Sequence, residues 1–306
     1  MDFLSQLRNL KDQLLFDADF GKLDPFSNIV VAGMGGSGIA GNIFSEIYDK
    51  SPVQVVSDYR LPEYAGKNTL FIGISYSGNT EETLAATMEA MKRGCQMRLI
   101  TSGGELSQLG EETIKIPSGL QPRSALGYLI KPFLQSFLFR DSEGYDAVHK
   151  LLKEMDDNNE EQLGLASSIN GKSLIPVVFG HYPYRWIAYR WKTQFNENSK
   201  VLAFSNFFPE LNHNDTVPLK ASYRKEDFRF ISFGDARPRI EKRIRITGSI
   251  TGTDFARVPV KGETLLQKMF YLIHYGDYVS YHLAKLRNID PEEVSVITEL
   301  KEGLKS

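Results

Sequence analysis

The stretch "IVVAGMGGSGIAGNIF", residues 29–44, decides the fold. An apolar run leads into closely spaced glycines, and a helix-like pattern follows. That is the order of a buried strand, a tight loop and a helix. Gly33-x-Gly35-x-x-Gly38 spells the dinucleotide fingerprint, whose glycines bring the backbone close to a pyrophosphate at a helix N-terminus. Asp58 ends a second apolar run about 20 residues further on, where a ribose-binding acid would stand. The same geometry also serves a single phosphate, because unpaired N–H groups at a helix start attract any anion. The stretch thus defines a strand–loop–helix unit and leaves two ligand classes open.

The alternation continues on both sides. Residues 3–15 have an amphipathic helical pattern. Strands are expected at 28–33, 53–58, 69–75, 96–101 and 112–117, with helices at 37–48 and 80–93. The polar segment "KEMDDNNEEQ" (153–162) reads as a helix end and a linker. The layout then restarts, with strands at 173–180, 228–235 and 255–262. Helices are expected at 183–195, 238–248, 262–287 and 291–304. The fold class is therefore α/β: two similar subdomains, 1–152 and 153–306, each a parallel sheet flanked by helices.

Composition narrows the function classes. The 306 residues are 42% hydrophobic and 24% charged, which suits a chain that buries a full core. A formal net charge of -2 provides no basic field for nucleic acid. Cys95 is the one cysteine, so no internal disulfide can form and a reducing, cytoplasmic setting is expected. The start "MDFLSQLRNLKDQLL" lacks the basic-then-apolar layout of a signal peptide. No apolar run reaches the ~18 residues of a membrane helix. His149, His181, His274 and His282 show no metal-ligand spacing, so neither metal nor cofactor is expected.

A second loop shifts the balance between the two ligand classes. "ISYSGNTEET" (74–83) follows a strand, opens a helix, and brings Ser75, Ser77 and Thr80 close in sequence. Hydroxyls and helix-terminal amides together make a neutral cradle for a phosphate dianion. Asn79 is the expected helix cap, with Glu82 in the capping-box position. Capping alone leaves the alternating serines unexplained.

"GMGGSGIAG" and "SYSGNTEETL" together resemble the sugar isomerase (SIS) domain, a phosphosugar-binding α/β module. With "TSGG" (101–104), "PRSAL" (122–126), "FNENSK" (195–200) and "ELNHND" (210–215), the chain is similar to the bifunctional phosphoglucose/phosphomannose isomerases. The resemblance implies that Gly35, Gly36 and Ser37 border the sugar-phosphate site and that Ser75, Ser77 and Thr80 hold the phosphate. It implies Glu197 as the base that moves a proton between C1 and C2. Arg123 would be the cation facing the enediolate. His213 would act in ring opening from a neighbouring subunit, which makes the protein a homodimer. A lysine of the C-terminal helix would also serve ring opening, matched by Lys301 with Lys305 nearby. The family ties a hydroxyl earlier in that region to accepting mannose. Here it reads "EEVSVITEL", with Val294, Ser295 and Thr298 around the matching position.

The resemblance thus implies a cofactor-free isomerase of hexose 6-phosphates. Two alternatives remain. One is a non-catalytic phosphosugar-binding regulator, although little chain precedes the first strand to hold a DNA-binding element. The other is a nicotinamide-dependent oxidoreductase resting on the 33–38 glycines and Asp58.

Overall fold

The computed structural model describes residues 1–110 and 112–304. The chain divides into two compact units. One comprises Met1–Glu154 with Glu263–Gln267, the other Met155–Gly262 with Lys268–Ser306.

The first unit is built on a five-stranded, all-parallel sheet. Its strands are β1 (Asn28–Ala32), β2 (Val53–Val56), β3 (Thr69–Ile74), β4 (Gln96–Thr101) and β5 (Thr113–Lys115). Their order is β2-β1-β3-β4-β5. β1 pairs with β2 from Ile29↔Val53 onward and with β3 from Asn28↔Thr69. Every residue of β3 is buried, as are four of the five in β1. Such strands read as continuous apolar runs because helices cover both faces of a parallel sheet. Burying a side chain such as Phe71, fully removed from solvent, contributes roughly 2–3 kcal/mol.

The second unit has a four-stranded parallel sheet of β6 (Ile175–Gly180), β7 (Phe204–Phe207), β8 (Phe228–Phe233) and β9 (Ala256–Val258), ordered β7-β6-β8-β9. Phe179, Phe208, Phe230 and Phe255 cluster on one face. The expected strands and helices are present, most with trimmed ends. β7 was not expected, because "FSNF" is a short edge strand with one exposed and three half-buried residues. The helices Leu126–Phe137 and Glu160–Asn170 are further additions. The segment 153–162 holds a helix end, as expected, and the division between the two units falls within it, between Glu154 and Met155. The helix Ser142–Asp157 closes there and the next opens at Glu160.

Both sheets place their first two central strands so that the strand order reverses between them. In the first unit this switch point lies between β1 and β3. Loops leaving the carboxyl ends of two such strands diverge, and the crevice they open is where α/β sheets of this kind take ligands. Among the described residues no helix is long and apolar enough to cross a membrane.

Candidate active site

The glycine loop and the hydroxyl loop leave the sheet side by side. A Cβ on Gly33 would lie 3.2 Å from the carbonyl oxygen of Ile74, the last residue of β3. A Cβ on Gly38 would lie 2.6 Å from the Gly33 carbonyl oxygen, so the turn closes only because that side chain is missing. The fingerprint spelling therefore reports a tight strand-to-helix turn, which a single phosphate can use as readily as a dinucleotide. Asp58 is exposed and accepts from the backbone N–H of Tyr59 at 2.6 Å.

Two helices point their N-termini into this crevice: Gly35–Ile47 after β1 and Glu81–Lys92 after β3. Among the described residues neither receives a side-chain cap. The expected capping by Asn79 and Glu82 is not what the chain does. Thr80 is the N-cap residue, and the Asn79 side-chain oxygen accepts from the Glu105 N–H at 3.0 Å. The Thr80 hydroxyl is 2.8 Å from that of Ser75. Most first-turn amides of the two helices thus stay available to an anion, although the Ser37 N–H bonds the Met34 carbonyl oxygen at 3.0 Å.

The hydroxyl loop is stiff. Ser75 is buried, and its Oγ accepts from the Gly78 N–H at 3.1 Å. Gly78 has a φ of +73°, and a Cβ there would meet the Gly103 carbonyl oxygen at 1.8 Å. This is why "TSGG" accompanies "SYSGNT": the second loop packs directly on the first. Ser77 is exposed, and its Oγ accepts from the Asn79 N–H at 3.3 Å.

Arg123 joins this group. It lies on a short 3-10 turn, Pro122–Ser124. A Cβ on Gly36 would lie 3.1 Å from the Pro122 carbonyl oxygen and 3.5 Å from the Arg123 Cα. The arginine is 4% exposed, donates to Gln121 Oε1 at 3.2 Å and lies over the Phe3 ring at 5.3 Å. A guanidinium held in place by a side-chain amide and an aromatic face keeps its charge and orientation. The first unit therefore gathers Gly35, Gly36, Ser37, Ser75, Ser77, Thr80 and Arg123 around one switch point.

The other expected residues belong to the second unit. Glu197 is half-buried on the last turn of the helix Arg185–Ser199. The inner face of this helix is a buried polar seam. Arg190 donates to both carboxylate oxygens of Asp277 at 2.9 and 3.0 Å, and Gln194 donates to the same residue at 2.7 Å. Trp186, Tyr189, Arg190 and Trp191 lie on the same helix. Trp191 and Arg190 are buried, while Tyr189 stands on the exposed side. His213 ends the 3-10 turn Glu210–His213 and is exposed. Asp215, a ready partner in sequence, instead accepts from Asn206 at 2.8 Å. Lys301 falls on the helix Ser295–Gly303, but its side chain and all of Lys305 lie outside the described residues.

One polar cluster was not legible in sequence. At the switch point of the second sheet, Asp235 accepts from Tyr184 at 2.8 Å and Lys268 at 2.9 Å. Burial alone would raise the Asp235 carboxyl, but these two donors hold it below the ordinary carboxylate range. Burial, with the Asp235 hydrogen bond, pushes the Tyr184 phenol far above its usual range. Here the protein's own carboxylate is bound by the surrounding donors.

Two parallel-sheet units, the first with a glycine loop and a hydroxyl loop facing each other across a switch point, define the sugar isomerase class of α/β proteins. Residues 158–304 match the model of the bacterial phospho-glucose isomerase C-terminal SIS domain. The bifunctional phosphoglucose/phosphomannose isomerase of Thermoplasma acidophilum is 54% identical, over 99% of this chain and 98% of its own. That of Thermoplasma volcanium is 55% identical, over 99% and 100%. Among solved structures, the C-terminal domain of glucosamine-fructose-6-phosphate aminotransferase from Francisella tularensis superposes with a TM-score of 0.68. It is 16% identical and covers 95% of each chain, a likeness of fold alone. The chain belongs to the bifunctional phosphoglucose/phosphomannose isomerase family.

Proposed function

We propose that this protein interconverts glucose 6-phosphate and mannose 6-phosphate with fructose 6-phosphate through an enediol(ate). The observation that carries this reading is the pair of uncapped helix N-termini flanked by Ser75, Ser77 and Thr80, in a chain more than half identical to relatives bearing that name. In this reading the hydroxyls and first-turn amides hold the phosphate dianion. The Glu197 carboxylate takes the C2 proton of the open aldose and returns it to C1. The electron pair released at C2 forms the C1–C2 double bond and charges the C1 oxygen, which faces the Arg123 guanidinium. As the proton returns to C1, the C2 hydroxyl gives its own proton to the C1 oxygen and becomes the ketone. His213 and Lys301 serve ring opening, His213 from the neighbouring subunit of a cytoplasmic homodimer. The exposure of His213 supports a role at a partner's site.

The test is direct. Purified protein incubated with fructose 6-phosphate, without added nucleotide, is expected to form glucose 6-phosphate and mannose 6-phosphate. Glu197→Gln is expected to lower kcat by about 10²–10⁴ while phosphosugar binding persists. Equal loss of binding, or full activity, contradicts the proton-carrier role.

A further inference from the structure

Glu197 sits in "FNENSK", and five of its six residues hold the turn that presents the glutamate. Phe195 is fully buried. The Asn196 side-chain oxygen accepts from the Ala203 N–H at 3.0 Å. Asn198 donates to Ser280 Oγ at 2.9 Å, and Ser199 Oγ donates to the Ser280 carbonyl oxygen at 2.7 Å. Asn198, Ser199 and Ser280 are all fully buried.

Lys200 is the unexpected member. It ends the helix in the left-handed region, with φ +51° and ψ +40°. Glycine is the usual residue there, because a Cβ makes that conformation costly. A lysine that accepts the cost must return something through its side chain. Its Nζ donates to the Glu197 carbonyl oxygen at 2.9 Å and to the Asp290 carbonyl oxygen at 2.7 Å. The Glu197 carbonyl belongs to the last turn of the helix, where the regular helical donors run out. Asp290 lies in the segment between the helices Leu265–Leu286 and Ser295–Gly303. The ammonium therefore ties the backbone of the glutamate to the segment that leads into the C-terminal helix. It also places a positive charge at the negative end of the helix dipole.

We propose that Lys200 is a positioning residue for proton transfer. With Ser280 gripping the buried side of the turn and Lys200 bracing its other end on the Asp290 carbonyl, the Glu197 Cα is held from two directions. A carboxylate that must reach two adjacent carbons has little tolerance for drift. The inference rests on the proposed role of Glu197 as the proton carrier.

The experiment uses Lys200→Gly and Lys200→Asn in the full-length protein. Both residues accept the left-handed backbone, so the turn keeps its shape. Neither side chain can reach Asp290. Steady-state rates are measured with glucose 6-phosphate and with its 2-deuterio form, alongside Glu197→Gln. The expected result is a fall in kcat of about 10- to 100-fold with KM within about twofold, because misplacement by an ångström costs rates of this order. The deuterium isotope effect on kcat should rise as proton transfer becomes limiting, and Lys200→Arg should recover part of the rate. A folded variant of either kind with wild-type kcat and isotope effect overturns the brace, as does a rise in KM alone. If Glu197→Gln itself keeps full activity, the proton-carrier reading fails, and the brace falls with it.

Discussion

The Ser75 and Thr80 hydroxyls lie 2.8 Å apart at the entrance of the helix Glu81–Lys92, one buried at the end of β3 and the other at the N-cap. Because they bond each other, and because Ser75 also accepts from the Gly78 N–H, these side chains shape the loop before any ligand arrives. Ser77 is the exposed hydroxyl of the three.

That difference separates two substitutions. Ser77→Ala should raise KM for fructose 6-phosphate several-fold and leave the melting temperature unchanged. Ser75→Ala should also lower stability, by about 0.5–1.5 kcal/mol, since it removes the hydroxyl's bonds to Thr80 and to the Gly78 N–H, which keeps its bond to the Ser75 carbonyl oxygen. Thermal melts paired with saturation kinetics check both. An unchanged KM for Ser77→Ala would argue against the cradle.

Arg123 is held by Gln121 and the Phe3 ring beside Gly36. Lysine cannot reproduce the planar fork or the stacking. Arg123→Lys is therefore expected to lower kcat by about 10²–10³, the range seen when a donor to a developing oxyanion is removed. KM should change much less. Kinetics showing the loss chiefly in KM would assign Arg123 to ground-state binding.

The cross-subunit role proposed for His213 has a mixing test. His213→Ala and Glu197→Gln should each be nearly inactive alone. If the histidine acts on its partner's substrate, denaturing the two variants together and refolding them gives mixed dimers with one intact site. Recovery of roughly a quarter of wild-type activity is expected, because random pairing makes half the dimers mixed. No recovery would place His213 on its own subunit's substrate, or outside the reaction.

Arg190, Gln194 and Asp277 form an ionic cluster whose members are almost fully buried. Removing one partner leaves the others desolvated and without that bond. Asp277→Ala should cost about 3–5 kcal/mol, read as a lower urea midpoint. Little change in the midpoint would mean that the seam is hydrated.

His282 supplies a pH signature. Its Nε2 lies 2.7 Å from Asn159 Oδ1, and burial lowers its pKa from the ordinary 6.5. The folded state thus prefers the neutral ring. Its contribution to stability is complete above pH 6.5 and is lost as pH falls from there through the lowered folded pKa. Urea melts between pH 7.5 and 5 should show a shallower decline for His282→Gln than for the wild type. Identical slopes would sink the assignment.

Sequence by itself determined the α/β class, the strand–loop–helix register at 29–44, and the presence of two hydroxyl- and glycine-rich loops. It could do so because central strands of a parallel sheet are buried on both faces, and so appear as uninterrupted apolar runs. Edge strand β7 escaped notice for the opposite reason: its residues are exposed or half-buried, and they need not be apolar. The capping role expected of Asn79 also went astray, since a side chain chooses among acceptors and donors by distance. Glu105, distant in sequence, competes as well as any neighbour. Tertiary structure alone decided that Arg123 lies against Gly36, that "TSGG" buttresses Gly78, and that Lys200 bridges Glu197 to Asp290. Each is a meeting of segments far apart along the chain or a backbone carbonyl finding a donor, and neither leaves a periodic trace in the residues themselves.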